Sequence, residues 1–328
     1  MASINARHYE AMAAVIEKEH ILNPWFTPRW VKEALCGIAH MLDRKGLASW
    51  LESYGEAKNT PGKALTVGLV MAGNIPLVGF HDVLCVLAAG HRVLAKASSK
   101  DERLILEVSA VLQSISPELG ERIRITEDKL HDLDAVIATG SNNSARHFEY
   151  YFRNIPHIIR KNRNGVAVLN GKENKRELAL LGQDIFTYFG MGCRNVSKLY
   201  IPEDYHLPDL LSVLDDYSWL AQHNKYANNV DYHRSLYLMN MQPFLDNGVI
   251  LVREDKSISS PVGVVFYERY SEIDTVVQEL ETRKMEIQCV VSVHPSVPGC
   301  IPPGTSQSPL ARDYADGVDT LRFLKQLT

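Results

Sequence analysis

The chain has 328 residues, with 35 basic and 39 acidic side chains and a formal net charge of −4. A hydrophobic share of 45% with 23% charged residues excludes a disordered chain and a coiled coil, and the length allows about two units of ~100–200 residues. The mild acidity argues against general nucleic-acid binding, which needs a basic surface.

Residues 1–60 read mostly as helix, interrupted around Pro24-Trp25-Phe26-Thr27-Pro28. Alternation follows. Ala64 to Val70 reads as strand, Ala72-Gly73-Asn74-Ile75-Pro76 as turn, and Val78 to Ala89 as helix ended by Gly90. His91 to Lys96 is a second strand. Arg103 to Ile115 is an amphipathic helix with Leu104, Val108, Val111 and Leu112 on one face. Ile123 and Ile125 mark a short strand and Leu133 to Thr139 another, after which Gly140-Ser141-Asn142 opens a helix towards Tyr151. This rhythm predicts a doubly wound α/β fold with a parallel sheet and right-handed crossovers. Ligands of such sheets bind at the carboxyl ends of the strands. The turns at Asn74 and at Gly140-Ser141 fall at that edge.

A second rhythm begins with a strand at Val166 to Leu169. A helix over Lys175 to Phe189 follows, broken by Gly190-Met191-Gly192-Cys193, and Val196 to Ile201 resumes as strand. Further strands are predicted at Leu236 to Met239, Val249 to Val252, Val262 to Tyr267 and Cys289 to His294. A helix spans Ile273 to Thr282. A Pro/Gly/Ser-rich loop, Pro295 to Pro309, precedes a final helix from Tyr314 to Leu327.

No stretch reaches the ~18 unbroken apolar residues of a membrane span. The best run, Leu65 to Phe80, contains Asn74 and Pro76. The start, Met1 to His8, lacks a basic segment followed by an apolar one, so no signal peptide is expected. The five cysteines, at 36, 85, 193, 289 and 300, form no Cys-x-x-Cys pair. A disulfide framework is therefore not expected, and a reduced cytoplasmic setting is. No metal site is predicted: the histidines are dispersed, with His223 and His233 too loosely spaced.

Cys193 stands out, flanked by Gly192 and Arg194 directly after a helix. Glycine admits close approach, and a neighbouring cation favours the thiolate, which is the nucleophile. On spacing alone a buried, inert thiol is the simpler reading. Cys36, Cys85 and Cys289 fall in apolar helical or strand runs and fit that simpler reading, and Cys300 lies in a loop. Asn74 has an amide able to donate to an oxyanion, or is a turn residue. Lys96 ends a strand, and with Ser98, Ser99 and Lys100 it suits a ribose or phosphate, or is a solvated strand end. Gly140 and Ser141 open a helix whose amides favour anions, or form its cap.

In order along the chain, these pieces resemble the aldehyde dehydrogenase superfamily, and within it the LuxC-type acyl-CoA reductases. Phe189-Gly-Met-Gly-Cys193-Arg-Asn-Val-Ser-Lys-Leu-Tyr-Ile201 is similar to the nucleophile segment. Ala72-Gly-Asn74-Ile-Pro76 resembles the oxyanion turn. Leu87 to Ser99 resembles the adenosine-binding strand, Ala138-Thr-Gly140-Ser141 the dinucleotide helix start, and Ser260-Pro-Val-Gly-Val-Val-Phe266 a late catalytic strand.

The resemblance implies two Rossmann-like domains with parallel-rich sheets. An NAD(P)-binding domain would span residues 1–156 and 303–328, and a catalytic domain 157–302. It implies Cys193 as acyl-accepting nucleophile and Asn74, with the Cys193 amide, as oxyanion hole. Lys96, Ser98, Ser99, Gly140 and Ser141 would hold NADPH or NADH. The implied substrate is an acyl-CoA or acyl-carrier thioester, with an acyltransferase or ligase as possible partner and a homodimer as assembly. A semialdehyde dehydrogenase, an acyl-phosphate reductase and an inactive scaffold of the same fold are the alternatives.

The chain departs from the family pattern in three places. Ile159-Arg-Lys-Asn-Arg-Asn-Gly165 has no carboxylate where oxidising members place a general base, which favours thioester reduction. Ser99 and Lys100 stand where a ribose-gripping Glu is common, which favours NADPH. Ser257 stands near the place of a second Glu that binds the nicotinamide ribose.

Overall fold

The computed structural model describes residues 6–55 and 63–327, so the sequence expectations for the first five residues and for 56–60 lie outside the described residues. The chain divides into two units, residues 1–162 with 309–328, and residues 163–308.

The first unit opens with three helices, α1 (Ala6–Leu22), α2 (Pro28–Met41) and α3 (Arg44–Glu52). Each later start has a local cause. Thr27 accepts the Trp30 amide ahead of Pro28, which needs no amide partner in the first turn, and Asp43 accepts from Lys45 and Gly46. The sheet follows: β1 (Thr66–Val70), α4 (Phe80–Ala88), β2 (Arg92–Lys96), α5 (Glu102–Ile115), α6 (Pro117–Gly120), β3 (Ile123–Thr126), β4 (Ala135–Thr139), α7 (Asn142–Tyr151) and β5 (His157–Arg160). Strand order is β3-β2-β1-β4-β5, and all four pairings are parallel. Strands buried on both faces read as continuous apolar runs. Accordingly Val67, Leu69, Val93, Ala95 and Ile137 pack with Val83, Val86, Leu104, Leu321 and Leu324 in one core.

The second unit runs β6 (Asn164–Val168), α8 (Lys175–Phe186), β7 (Val196–Pro202), α9 (Leu207–Leu214), α10 (Asn224–Met239), β8 (Leu245–Asp246), β9 (Leu251–Glu254), β10 (Val264–Tyr270), α11 (Ile273–Thr282) and β11 (Ile287–Ser292). Its order is β11-β6-β7-β10-β9-β8, parallel except for the β8–β9 pair. Lys198 of β7 is fully buried and satisfied: its ammonium donates to Glu268 (2.6 Å) and to the Asp255 carbonyl (3.0 Å). A last helix, α12 (Thr320–Lys325), returns to the first unit.

The structure corrects several sequence expectations. Leu236 to Met239 is the last turn of α10, not a strand. A run of four apolar residues cannot settle its own period. Here Tyr226, Val230 and Tyr237 point inward at helical spacing, leaving Leu236, Leu238 and Met239 exposed. The final helix begins only at Thr320, because Asp316 takes a left-handed φ of 60° and the Asp319 carboxylate caps at Arg322. The helix expected to reach Phe189 stops at Phe186. His157–Arg160, unassigned in the sequence, pairs with β4 as an edge strand. That pairing holds 157–160 in the first unit, and the two units divide at 162/163 and 308/309. Arg160 is further anchored there by Asp82 of α4, through hydrogen bonds of 2.6 and 2.5 Å, and by the Thr320 hydroxyl at 2.9 Å.

Candidate active site

Six of the seven candidate residues lie at one edge of the first unit's sheet. Because β1, β2 and β4 run parallel, their carboxyl ends emerge together, with Val70 paired to Lys96 on one side and to Ala138 on the other. The strand order reverses direction at β1, so the crevice between β1 and β4 is the topological switch point where such sheets bind ligands. Asn74 is exposed in the turn after β1. Lys96, the half-buried last residue of β2, accepts the Met71 amide through its carbonyl (3.1 Å), locking the two loop roots together. Ser98 is half-buried and Ser99 exposed. A Cβ on Gly73 would overlap the Ser98 hydroxyl, so glycine is what lets the Asn74 turn lie against the β2–α5 loop.

At the end of β4, Ser141 caps α7. Its hydroxyl accepts the Ser144 amide (3.2 Å) and pairs with the Ser144 hydroxyl (3.0 Å). A Cβ on Gly140 would come within 2.8 Å of Ser144 Cβ and 3.0 Å of the Phe148 ring. The chain is thus as slim as it can be where a strand hands over to a ten-residue helix. This edge suits a dinucleotide. Lys96 and the serine hydroxyls match ribose and phosphate oxygens, and the α7 amides and dipole match a pyrophosphate. Ser141 would contribute through its backbone, its hydroxyl being engaged in the cap.

Cys193 lies in the second unit, on the connection from α8 to β7. After Phe186 the chain makes a 3₁₀ turn in which Tyr188, Phe189 and Gly190 all take left-handed φ, of 54°, 58° and 76°. Two aromatic residues there cost on the order of 1–3 kcal/mol each and persist only where packing over-determines them. Both are buried, and Phe189 stacks on His223 with ring centres 4.3 Å apart. Gly192 to Asn195 then form a turn closed by Asn195 N–H donating to the Gly192 carbonyl (3.1 Å). Cys193 is its second residue, with an exposed thiol outside any disulfide.

What shapes this turn is Asn195, 1% exposed. Its side-chain oxygen accepts the Gly192 amide (2.7 Å), and its Nδ2 donates to the carbonyls of Asp184 (3.0 Å), Ile185 (3.3 Å) and Thr187 (2.9 Å). Those carbonyls belong to the end of α8 and the residue after it, groups a helix terminus leaves unsatisfied. One side chain therefore caps the helix and fixes the turn carrying the thiol. Asn195 lies within the segment that resembles the nucleophile stretch, and the sequence assigns it no role. An Asn beside a candidate nucleophile is the only sequence signal, and its long-range partners appear only in the fold.

The remaining cysteines sort by environment. Cys85 is buried, and burial raises its thiol well above the ordinary value. Burial likewise pushes Cys289 up to about 12. Cys300 is half-buried. Cys36 is exposed on α2, which corrects the expectation of a buried thiol: the helix's inward side is taken by Trp30, Val31 and Ala34. Ser257 N–H donates to the Asp255 carboxylate (2.9 Å). Among the described residues no group of three or more His, Cys, Asp or Glu is placed to hold a metal ion, and no helix is long and apolar enough to cross a membrane.

No protein-family model matches the chain, and no curated protein does. Solved structures do. The chain is similar to the indole-3-acetaldehyde dehydrogenase AldA of P. syringae, in complex with NAD+ and IAA, at 14% identity and a TM-score of 0.58, covering 89% of this chain and 73% of that one. It is similar to a Mycobacterium tuberculosis aldehyde dehydrogenase complexed with NAD+, at 12% identity and 0.57, covering 89% and 74%. An oxidoreductase from Marinobacter aquaeolei matches at 12% and 0.59, covering 90% and 74%. The chain therefore has the aldehyde-dehydrogenase-like fold, over about three quarters of the length of those proteins.

Proposed function

We propose that this chain is an oxidoreductase that reduces an acyl thioester, acyl-CoA or acyl-carrier, to the aldehyde with NADPH or NADH. The observation that carries the reading is the exposed Cys193 on a turn fixed by the buried Asn195, within an aldehyde-dehydrogenase-like fold. The NAD+ held by two of the structural neighbours supports a nicotinamide cofactor.

In this mechanism the Cys193 thiolate attacks the thioester carbonyl. The oxyanion accepts hydrogen bonds from the Asn74 side chain and the Cys193 backbone amide. Collapse expels the CoA thiolate and leaves a thioacyl enzyme. Lys96, Ser98 and Ser99 would hold the adenosine end of the cofactor, and Gly140 with Ser141 would lie against its pyrophosphate. A bound nicotinamide would supply the hydride that reduces the thioacyl carbon. The resulting thiohemiacetal anion on Cys193 expels the thiolate and releases the aldehyde, with no net proton needed from the protein. The stretch Ile159 to Gly165 offers no carboxylate to activate water, which favours reduction over hydrolysis of the thioacyl enzyme. Ser99 and Lys100 in place of an acidic residue favour a 2′-phosphate, hence NADPH. A cytoplasmic homodimer fed by an acyltransferase or ligase completes the proposal.

A rapid-mixing assay of NADPH and NADH oxidation against acyl-CoAs from short to long chain tests it. Thioester-dependent oxidation is the expected result. Oxidation with acyl phosphates alone, or none with either cofactor, would overturn it. In the same assay Asn74→Ala should lower turnover by on the order of 10²–10³ with the fold intact, the usual cost of one oxyanion donor. Unchanged turnover would remove Asn74 from the mechanism.

A further inference from the structure

We infer that Asp101 is a positioning residue that fixes the turn bearing Asn74, an inference that rests on the function proposed above. Asp101 stands at the N-cap of α5, where an aspartate ordinarily caps its own helix, yet its side chain makes no cap hydrogen bond there. Instead its Oδ2 accepts the Leu77 amide at 2.8 Å. Leu77 lies three residues beyond Asn74, is buried, and takes a left-handed φ of 56°. A leucine in that conformation is strained and needs an external restraint. The restraint comes from the same loop that carries Ser98 and Ser99, so one hydrogen bond ties the oxyanion turn to the ribose-binding loop.

The surroundings of Asp101 show that it is placed there at a cost. It is 5% exposed, and its Oδ1 has no hydrogen-bond partner among the described residues. Burial pushes Asp101 up to about 8, offset in part by the Leu77 amide, with a lesser raise from the nearby Glu19 carboxyl. Near neutral pH its carboxyl is therefore mostly protonated, and Leu77 meets a neutral carboxyl oxygen. An asparagine can present the same acceptor in the same volume.

The test is a double-mutant cycle with an exchange readout. Asp101→Ala should lower kcat about tenfold with little change in KM for the thioester, and Asp101→Asn should restore most of that loss. In an Asn74→Ala background Asp101→Ala should cost nothing further, because its effect passes through Asn74. Additive losses would mean a general structural role and would overturn the inference. Hydrogen exchange of the Leu77 amide needs no activity. It should speed up at least tenfold in Asp101→Ala and stay slow in Asp101→Asn, and unchanged exchange in Asp101→Ala would overturn the tether. If exchange behaves as expected but no thioester is reduced by the unmodified protein, the tether stands and the proposed function fails.

Discussion

Cys193→Ala is expected to abolish thioester reduction, lowering turnover by on the order of 10⁴-fold or more, as loss of an attacking group does elsewhere. Stability should hardly change, because Cys193 is exposed. The comparison that gives this result meaning is Cys36→Ala. Cys36 is also exposed, but it sits on a regular helix with none of the turn geometry around Cys193. Cys36→Ala should keep full turnover. Steady-state assays on both variants, beside their thermal melts, check the pair. Retained reduction in folded Cys193→Ala would exclude covalent catalysis at this position.

Asn195→Ala should fail differently, losing stability and activity together. The substitution removes partners from the Gly192 amide in the turn and from three carbonyls at the end of α8 and just after it, all on buried residues. At about 1 kcal/mol for each buried group left unpaired, the loss is on the order of 4 kcal/mol. For a unit of this size that corresponds to roughly 8–16 °C in Tm. Tyr188 and Phe189, left-handed in backbone, directly follow Thr187, whose carbonyl Asn195 holds, so their strain is expected to add to the effect. Asn195→Asp keeps the oxygen that accepts from Gly192 but presents a second oxygen to three carbonyls, so it should be no better than alanine. A melt within 2 °C of the unmodified protein for either variant would show that the Cys193 turn is fixed by something else.

Most of the first unit was legible because its signals are local and agree. Short runs with apolar centres, each followed by a glycine or serine turn and a helix, allow little besides a parallel sheet, and β1, β2 and β4 lie where their runs place them. β5 escaped because an edge strand of four residues has no periodicity of its own and takes its identity from pairing with β4. In the second unit α10 was missed for a related reason. Its sequence is mostly polar over Asn224 to Arg234, and its apolar stretch, Leu236 to Met239, is mostly solvent-facing. The helix is set by three inward residues, Tyr226, Val230 and Tyr237, spread over many polar neighbours.

The candidate site divides along the same line. Asn74, Lys96, Ser98, Ser99, Gly140 and Ser141 follow strand ends, and strand ends can be read from sequence. The supports could not be. Asp101 reads as an ordinary helix cap, and only the fold shows its carboxyl turned to Leu77. Asn195 reads as one more polar residue after Cys193, and only the fold brings the end of α8 to its amide.

The most direct test of the central claim is to look for the acyl group on Cys193. The protein is mixed with a long-chain acyl-CoA in the absence of nicotinamide, quenched in acid, and measured by intact mass and peptide mapping. The account predicts one acyl group per chain, mapped to the peptide containing Cys193, removed by hydroxylamine and discharged when NADPH is added. No acyl adduct, or acylation confined to Cys36, would contradict it.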